Sequence, residues 1–157
     1  MLRISKLSDY AIIVLGQMAR HPDKTFAAHE LAEASGIGTP TASKVLKTMA
    51  KAGLLVSTRG ARGGYQLAFT PEQTSVASII GALEGPIALT ECGLAHGQCD
   101  QSRTCDIQGN WSLINKAIQT ALEAITLADM TQPMKRTPEA FHVPLHHIAM
   151  HSRSSQE

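Results

Sequence analysis

The sequence predicts a mainly α protein with a small β-hairpin wing: a winged helix-turn-helix followed by a long dimerisation helix. Three observations carry that prediction. Two short helical stretches meet at the turn Ser35-Gly36-Ile37-Gly38, and the second bears lysines away from its apolar face. Directly after it, two β-type runs flank the tip Arg59-Gly60-Ala61-Arg62-Gly63-Gly64. Further on, Ile114, Ile118, Ala121, Ile125 and Ala128 recur at spacings of 4, 3, 4 and 3, a seam for pairing with another helix. The 157 residues are 43% hydrophobic, 17% charged and 4% aromatic, which suits one ordinary soluble domain and excludes a large multidomain enzyme. A core of that size needs no metal to hold it together, so a bound metal would serve function.

Taken in order, Leu7, Tyr10, Ala11, Val14, Leu15 and Met18 follow the i, i+3, i+4 spacing of an amphipathic helix. Arg3 and Lys6 ahead of an apolar run superficially resemble a secretory signal, but Asp9 interrupts it and no small-x-small cleavage pattern follows. No apolar run approaches the ~18 residues that span a bilayer. The expectation is a cytoplasmic protein with no membrane partner. His21-Pro22-Asp23-Lys24 is a turn, and Ala27 to Ala34 a short helix burying Leu31. Thr39-Pro40 reads as an N-cap followed by proline at the first helical position. That helix runs to about Ala52 and stops at Gly53. Val45, Leu46 and Met49 face inward, while Lys44, Lys47 and Lys51 share another face with Thr41, Ser43 and Thr48.

Leu54 to Thr58 and Tyr65 to Phe69 are the expected strands of the wing. Val76, Ile79, Ile80 and Leu83 form one helical face that ends at Gly85-Pro86 and packs back on the winged domain. A loop of about two dozen residues follows, and helix resumes from about Asn110 to Met130. The expected organisation is a DNA-binding domain over 1–70, a region of connecting helix, cysteine loop and dimerisation helix over 71–130, and a flexible tail over 131–157. The tail's His142, His146, His147 and His151 are spaced for a metal, but Pro133, Pro138 and Pro144 mark a mobile extension.

Charge separates the two halves. Residues 1–70 carry nine Lys/Arg against four Asp/Glu, whereas residues 71–157 carry five against nine. A basic half beside an acidic one points to a polyanion at the first half only, the alternative being a solvated basic face. A basic helix followed by an arginine-tipped hairpin favours the polyanion, double-stranded DNA. Thr41, Ser43, Lys44 and Lys47 are placed for base edges and flanking phosphates in the major groove. Arg59 and Arg62 are placed for the minor groove. The tip glycines lack the Gly-Lys-Ser/Thr ending of a nucleotide loop.

Cys92, Cys99 and Cys105 all fall in the long loop. An odd count argues against a closed disulfide framework. Thiolates suit zinc or an iron-sulphur cluster, and the absence of a Cys-x-x-Cys pair favours the larger cluster over structural zinc. Redox thiols and incidental cysteines remain open on spacing alone. Candidates for a fourth ligand are His96, Asp106, Gln108 and Asp9 of a dimer partner.

Lys6 to Ala11, Arg59 to Tyr65, Ala82 to Pro86 and the triple-cysteine loop together resemble the IscR/NsrR-type winged-helix regulators, the Rrf-two family, over residues 1 to about 130. The sequence is most similar to the branch that regulates the SUF iron-sulphur assembly operon. The resemblance implies a homodimeric repressor in which Cys92, Cys99 and Cys105 hold a 2Fe-2S or 4Fe-4S cluster whose state alters DNA binding. It puts Lys44, Arg59 and Tyr65 on the recognition helix and wing. Two departures matter. One branch has a histidine three residues after the last cysteine, where this chain has Gln108; the nitric oxide-sensing branch can use an aspartate of the first helix from the partner subunit, which Asp9 matches. The rivals are a nitric oxide-sensing repressor and a winged-helix protein-interaction module with structural zinc. No nucleophile and base pair suggests an enzyme.

Overall fold

The structure is a computed structural model that describes residues 4–60, 63–90 and 107–132. Helix α1 (Lys6–Ala19) opens at Ser5, whose Oγ accepts the Ser8 N–H at 3.2 Å. Its inward stripe, Ala11, Val14, Leu15 and Met18, is buried, as the 3.6-residue period requires. Helix α2 (Ala28–Ser35) opens where the Glu30 carboxylate accepts the Ala27 N–H at 2.7 Å, and closes at Gly36 with φ of +67°.

Helix α3 (Thr39–Lys51) starts one residue earlier than its sequence suggests. Gly38, not Thr39, is the N-cap, and Pro40 is the second helical residue. The Gly38 carbonyl accepts the first helical bonds, from Thr41 and Ala42 N–H, at 2.9 and 3.0 Å. Proline costs nothing at either place, because the first-turn N–H groups have no intrahelical partner.

Strands β1 (Leu55–Thr58) and β2 (Gly64–Leu67) pair antiparallel, Leu55 opposite Leu67 and Thr58 opposite Gly64. Both are shorter than expected: Leu54 stays outside, and β2 ends before the exposed Phe69. The hairpin is fastened to the body by a bridge the sequence did not announce. Phe26 N–H donates to the Tyr65 carbonyl at 2.9 Å, and Tyr65 N–H to the Phe26 carbonyl at 2.8 Å. That approach requires Gly64, because a Cβ there would lie only 2.8 Å from the Phe26 carbonyl carbon.

Helix α4 (Val76–Glu84) is capped by Ser75 and ends at Gly85. It packs against α1 and α3, and Ile79 is fully buried in their core. The expected helix from Asn110 to Met130 is two helices, α5 (Gln108–Glu123) and α6 (Leu127–Thr131). Between them the chain turns back onto the body: the Ile125 carbonyl accepts Val76 N–H at 2.8 Å, and Leu127 N–H donates to Thr74 O at 2.7 Å. Thr126 then caps α6 reciprocally with Asp129. Leu127 is fully buried in the same core as Leu15, Leu46 and Ile79. The proposed seam is therefore broken: Ile125 lies in the turn, Ala128 on α6, and only Ile114, Ile118 and Ala121 share α5.

Candidate nucleic-acid interface

Helix α3 buries one face completely, with Ala42, Val45, Leu46 and Met49 all at 0% exposure. That anchoring fixes what the opposite face presents. Lys44, Lys47 and Lys51 are exposed, with Thr41 and Ser43 half-exposed beside them. Thr48 is spent locally, its Oγ1 donating to the Lys44 carbonyl at 3.0 Å. No acidic residue interrupts the helix, and none of these lysines has a carboxylate partner among the described residues. A row of like charges without counter-charges is the electrostatic footprint of a phosphate-facing surface.

The wing extends the same basic character. Arg59 is exposed at the end of β1, and Gly60 with φ of +112° starts the reversal. Gly63 N–H donates to the Gly60 carbonyl at 2.9 Å, closing the tip. A Cβ at Gly63 would lie 2.8 Å from the Arg59 carbonyl carbon, so this turn needs glycine there. Arg62 lies outside the described residues. Tyr65 is half-buried against the core and carries the bridge to Phe26. Its nearest consequence is the set of the wing on the body.

The Phe26 segment contributes more than the bridge. Lys24 sits over the Phe26 ring at 4.5 Å and pairs with Glu30 at 3.6 Å, while Gln66 Nε2 donates to the Asp23 carbonyl at 3.2 Å. The turn before α2 is thus bound to both α2 and the wing. Glu30 is held below the ordinary carboxylate value, chiefly by the Ala27 N–H. Of these contacts only the Gln66–Asp23 bond joins residues distant in sequence, and it had no local signal.

The cysteine-based site is less complete. Cys92, Cys99 and Cys105, with His96 and Asp106, lie outside the described residues, as do the tail histidines. Of the other candidate ligands, Asp9 is exposed in the first turn of α1 and Gln108 opens α5. No group of three metal-ligating side chains occurs among the described residues. Three thiolates with one oxygen or nitrogen donor are a donor set that fits an iron-sulphur cluster. No described helix is long and apolar enough to cross a membrane.

Comparison with known proteins accords with this geometry. The profile of the Rrf2 family, described as iron-dependent transcriptional regulator, matches residues 4–133. Protein rrf2 of Nitratidesulfovibrio vulgaris is 30% identical over 139 residues, covering 88% of this chain and 93% of that protein. The structure of CymR, the global cysteine regulator of B. subtilis, matches with a TM-score of 0.63 at 27% identity, covering 83% of this chain and 97% of CymR. IscR of T. potens matches with a TM-score of 0.61 at 30% identity, covering 82% and 85%. The winged helix-turn-helix, its basic recognition helix and a family match over most of the chain agree: the protein belongs to the Rrf2 family of transcriptional regulators, which are not enzymes.

Proposed function

We propose that the protein is a homodimeric, cytoplasmic repressor of iron-sulphur assembly genes, of the SUF type, that binds an operator through α3 and the wing. The observation that carries the DNA-binding part is the basic face of α3 beside Arg59, whose lysines have no carboxylate partner among the described residues. In this reading Thr41 and Ser43 meet base edges, Lys44 and Lys47 meet phosphates, Arg59 and Arg62 take the minor groove, and Tyr65 fixes the wing. Cys92, Cys99 and Cys105 hold a 2Fe-2S or 4Fe-4S cluster, with Asp9 of the partner subunit as fourth ligand. When bound, such a cluster would supply a redox- and iron-sensitive cross-link between the segments that carry its ligands. An oxygen donor such as Asp9 in the fourth position would leave it labile, and lability suits a sensor of supply. Dimerisation is supported by large apolar side chains left exposed on α5, Leu113 at 41% and Ile114 at 42%.

A nitric oxide-sensing repressor is the second reading, favoured by Gln108 in place of a histidine and by the exposed carboxylate of Asp9. Anaerobic purification followed by the visible spectrum, iron and sulphide content tests the cluster. A brown protein with matched iron and sulphide is expected, and Cys99→Ala should be colourless. A colourless wild type holding zinc would transfer the reading to an interaction module. Titration with nitric oxide, scored by operator release, separates the two repressor readings.

A further inference from the structure

Glu84 closes α4 with a carboxylate at the helix C-terminus, where the macrodipole disfavours negative charge. Its Oε1 instead rests on the start of α1. The Ser5 N–H donates to it at 3.0 Å and the Ser8 hydroxyl at 2.5 Å, across 76 residues of sequence in the second case. Ser5 is the N-cap of α1, so the charge lies against the positive end of that helix. Ser8 is fully buried, and its hydroxyl also accepts from Ser5 Oγ at 3.4 Å. These donors hold the Glu84 carboxyl below its ordinary value, the Ser8 hydroxyl most of all.

The chain then turns at Gly85, φ +85°, into a strap over 85–90. Pro86, Ile87 and Ala88 of the strap wall an apolar cleft of about 380 Å³ against Ile80, Ile118 and Leu122. At its far end Leu89 N–H donates to Asn115 Oδ1 on α5 at 2.8 Å, and Asn115 is only 7% exposed. Cys92 follows three residues later. Glu84, the residue of α4 that leads into the strap, is thus bonded to α1, and the far end of the strap to α5. Helix α1 in turn packs on α2, α3 and β2, and a close-packed interior passes on displacement instead of absorbing it.

We propose that the Ser5–Ser8–Glu84 clamp is the positioning element through which the cysteine-bearing segment acts on the DNA-binding body. The proposal rests on the functional reading above. If it is right, releasing Glu84 leaves the packing of α4 on α1 and α3 in place but removes the hydrogen bonds that register the start of the strap against the opening turn of α1. The test uses the full chain with Glu84→Ala and, as a second route to the same break, Ser8→Ala. Each is prepared metal-free and after reconstitution with iron and sulphide. Affinity is measured at fixed salt for a duplex enriched from a random-sequence library by the wild type.

In the wild type the two forms should differ by about tenfold or more, within the usual range for coupled sites. In both variants that ratio should fall to within about twofold, with the visible spectrum and iron content unchanged, an outcome that a merely destabilised protein does not give. Amide exchange in the metal-free protein supplies a readout independent of the cluster: residues 5–9 and 85–89 should speed up together. A variant that keeps the wild-type ratio, or accelerated exchange on one side only, overturns the proposal. A wild type that takes up no iron overturns the functional reading, and the exchange result alone then decides whether the clamp couples the two segments.

Discussion

Replacing Lys47 by alanine should change the salt dependence of operator binding by an amount the interface fixes in advance. Lys44, Lys47 and Arg59 are exposed and have no carboxylate partner among the described residues; counted as three contacts per subunit, they give six in a dimer reading two half-sites. At about 0.9 counterions released per neutralised phosphate, the slope of log K against log salt should be about −5.4. Affinity should then fall roughly 1,800-fold between 50 and 200 mM salt. Lys47→Ala removes two contacts per dimer, bringing the slope to about −3.6 and the same salt interval to roughly 150-fold. The substitution suits the helix, since alanine propagates an exposed helical turn at least as well as lysine. Fluorescence anisotropy across four salt concentrations measures the slope, with Lys116→Ala on α5 as the control that should leave it unchanged. An unaltered slope for Lys47→Ala, in a protein with a wild-type circular dichroism spectrum, would refute the placement of α3 against phosphate.

The remaining predictions concern the body that carries this interface. Leu127→Ala deletes a side chain at 0% exposure from the common core, so unfolding should cost about 3 kcal/mol less and the melting temperature should drop by roughly 10 °C; a loss below about 1 kcal/mol would show that α6 lies outside that core. Gly64→Ala should force the wing off the Phe26 carbonyl, weakening operator binding while the melting temperature falls much less, and unchanged affinity would separate the wing from DNA. Glu30 and Glu84 both titrate below the ordinary value near 4.5. Their contribution is therefore full above the unfolded-state pKa and is lost as pH falls through the lower folded value. Urea midpoints between pH 5 and pH 3 should accordingly decline less for Glu30→Gln or Glu84→Gln than for wild type; parallel declines would contradict the hydrogen bonds assigned to these carboxylates.

What the sequence made legible was what local chemistry dictates. The stripes Ala11, Val14, Leu15, Met18 and Val45, Leu46, Met49 declared their helices by period, and Gly36, Gly53 and Gly85 marked the stops by their need for positive φ. The N-cap of α3 was displaced because Gly38 and Thr39 are both competent caps and proline fits either first-turn slot. The break after Glu123 was hidden for a different reason: the 4, 3, 4, 3 spacing continues through Ile125 and Ala128, although these residues serve a turn and a second helix. A signal was present in Thr126-Leu127-Ala128-Asp129, a threonine followed three residues later by an acid, which is a helix start. The Phe26–Tyr65 bridge and the Glu84 clamp had no such signal. Each joins residues distant in sequence, and what pairs them is the packing of whole elements. The cysteines are candidate donors by their chemistry alone and lie outside the described residues.

On the proposed reading, the break has a mechanical consequence for how the cysteine segment acts. With one continuous helix from 110 to 130, α5 would be a lever free at its far end. Instead it is tied to the body twice, through Asn115 to Leu89 on one side of its length and through Ile125, Leu127 and Thr74 beyond its end. A rotation of α5 therefore drags either the strap over 85–90 or the anchored residue Leu127. Leu127 cannot leave the core without opening a cavity, whereas Pro86, Ile87 and Ala88 of the strap wall a cleft. The yielding part is the strap, and it is the part that leads to Cys92. A change in the cysteine segment would thus be spent on the Glu84 and Asn115 bonds before it disturbed α6, and the first element it reached in the DNA-binding body would be the opening turn of α1.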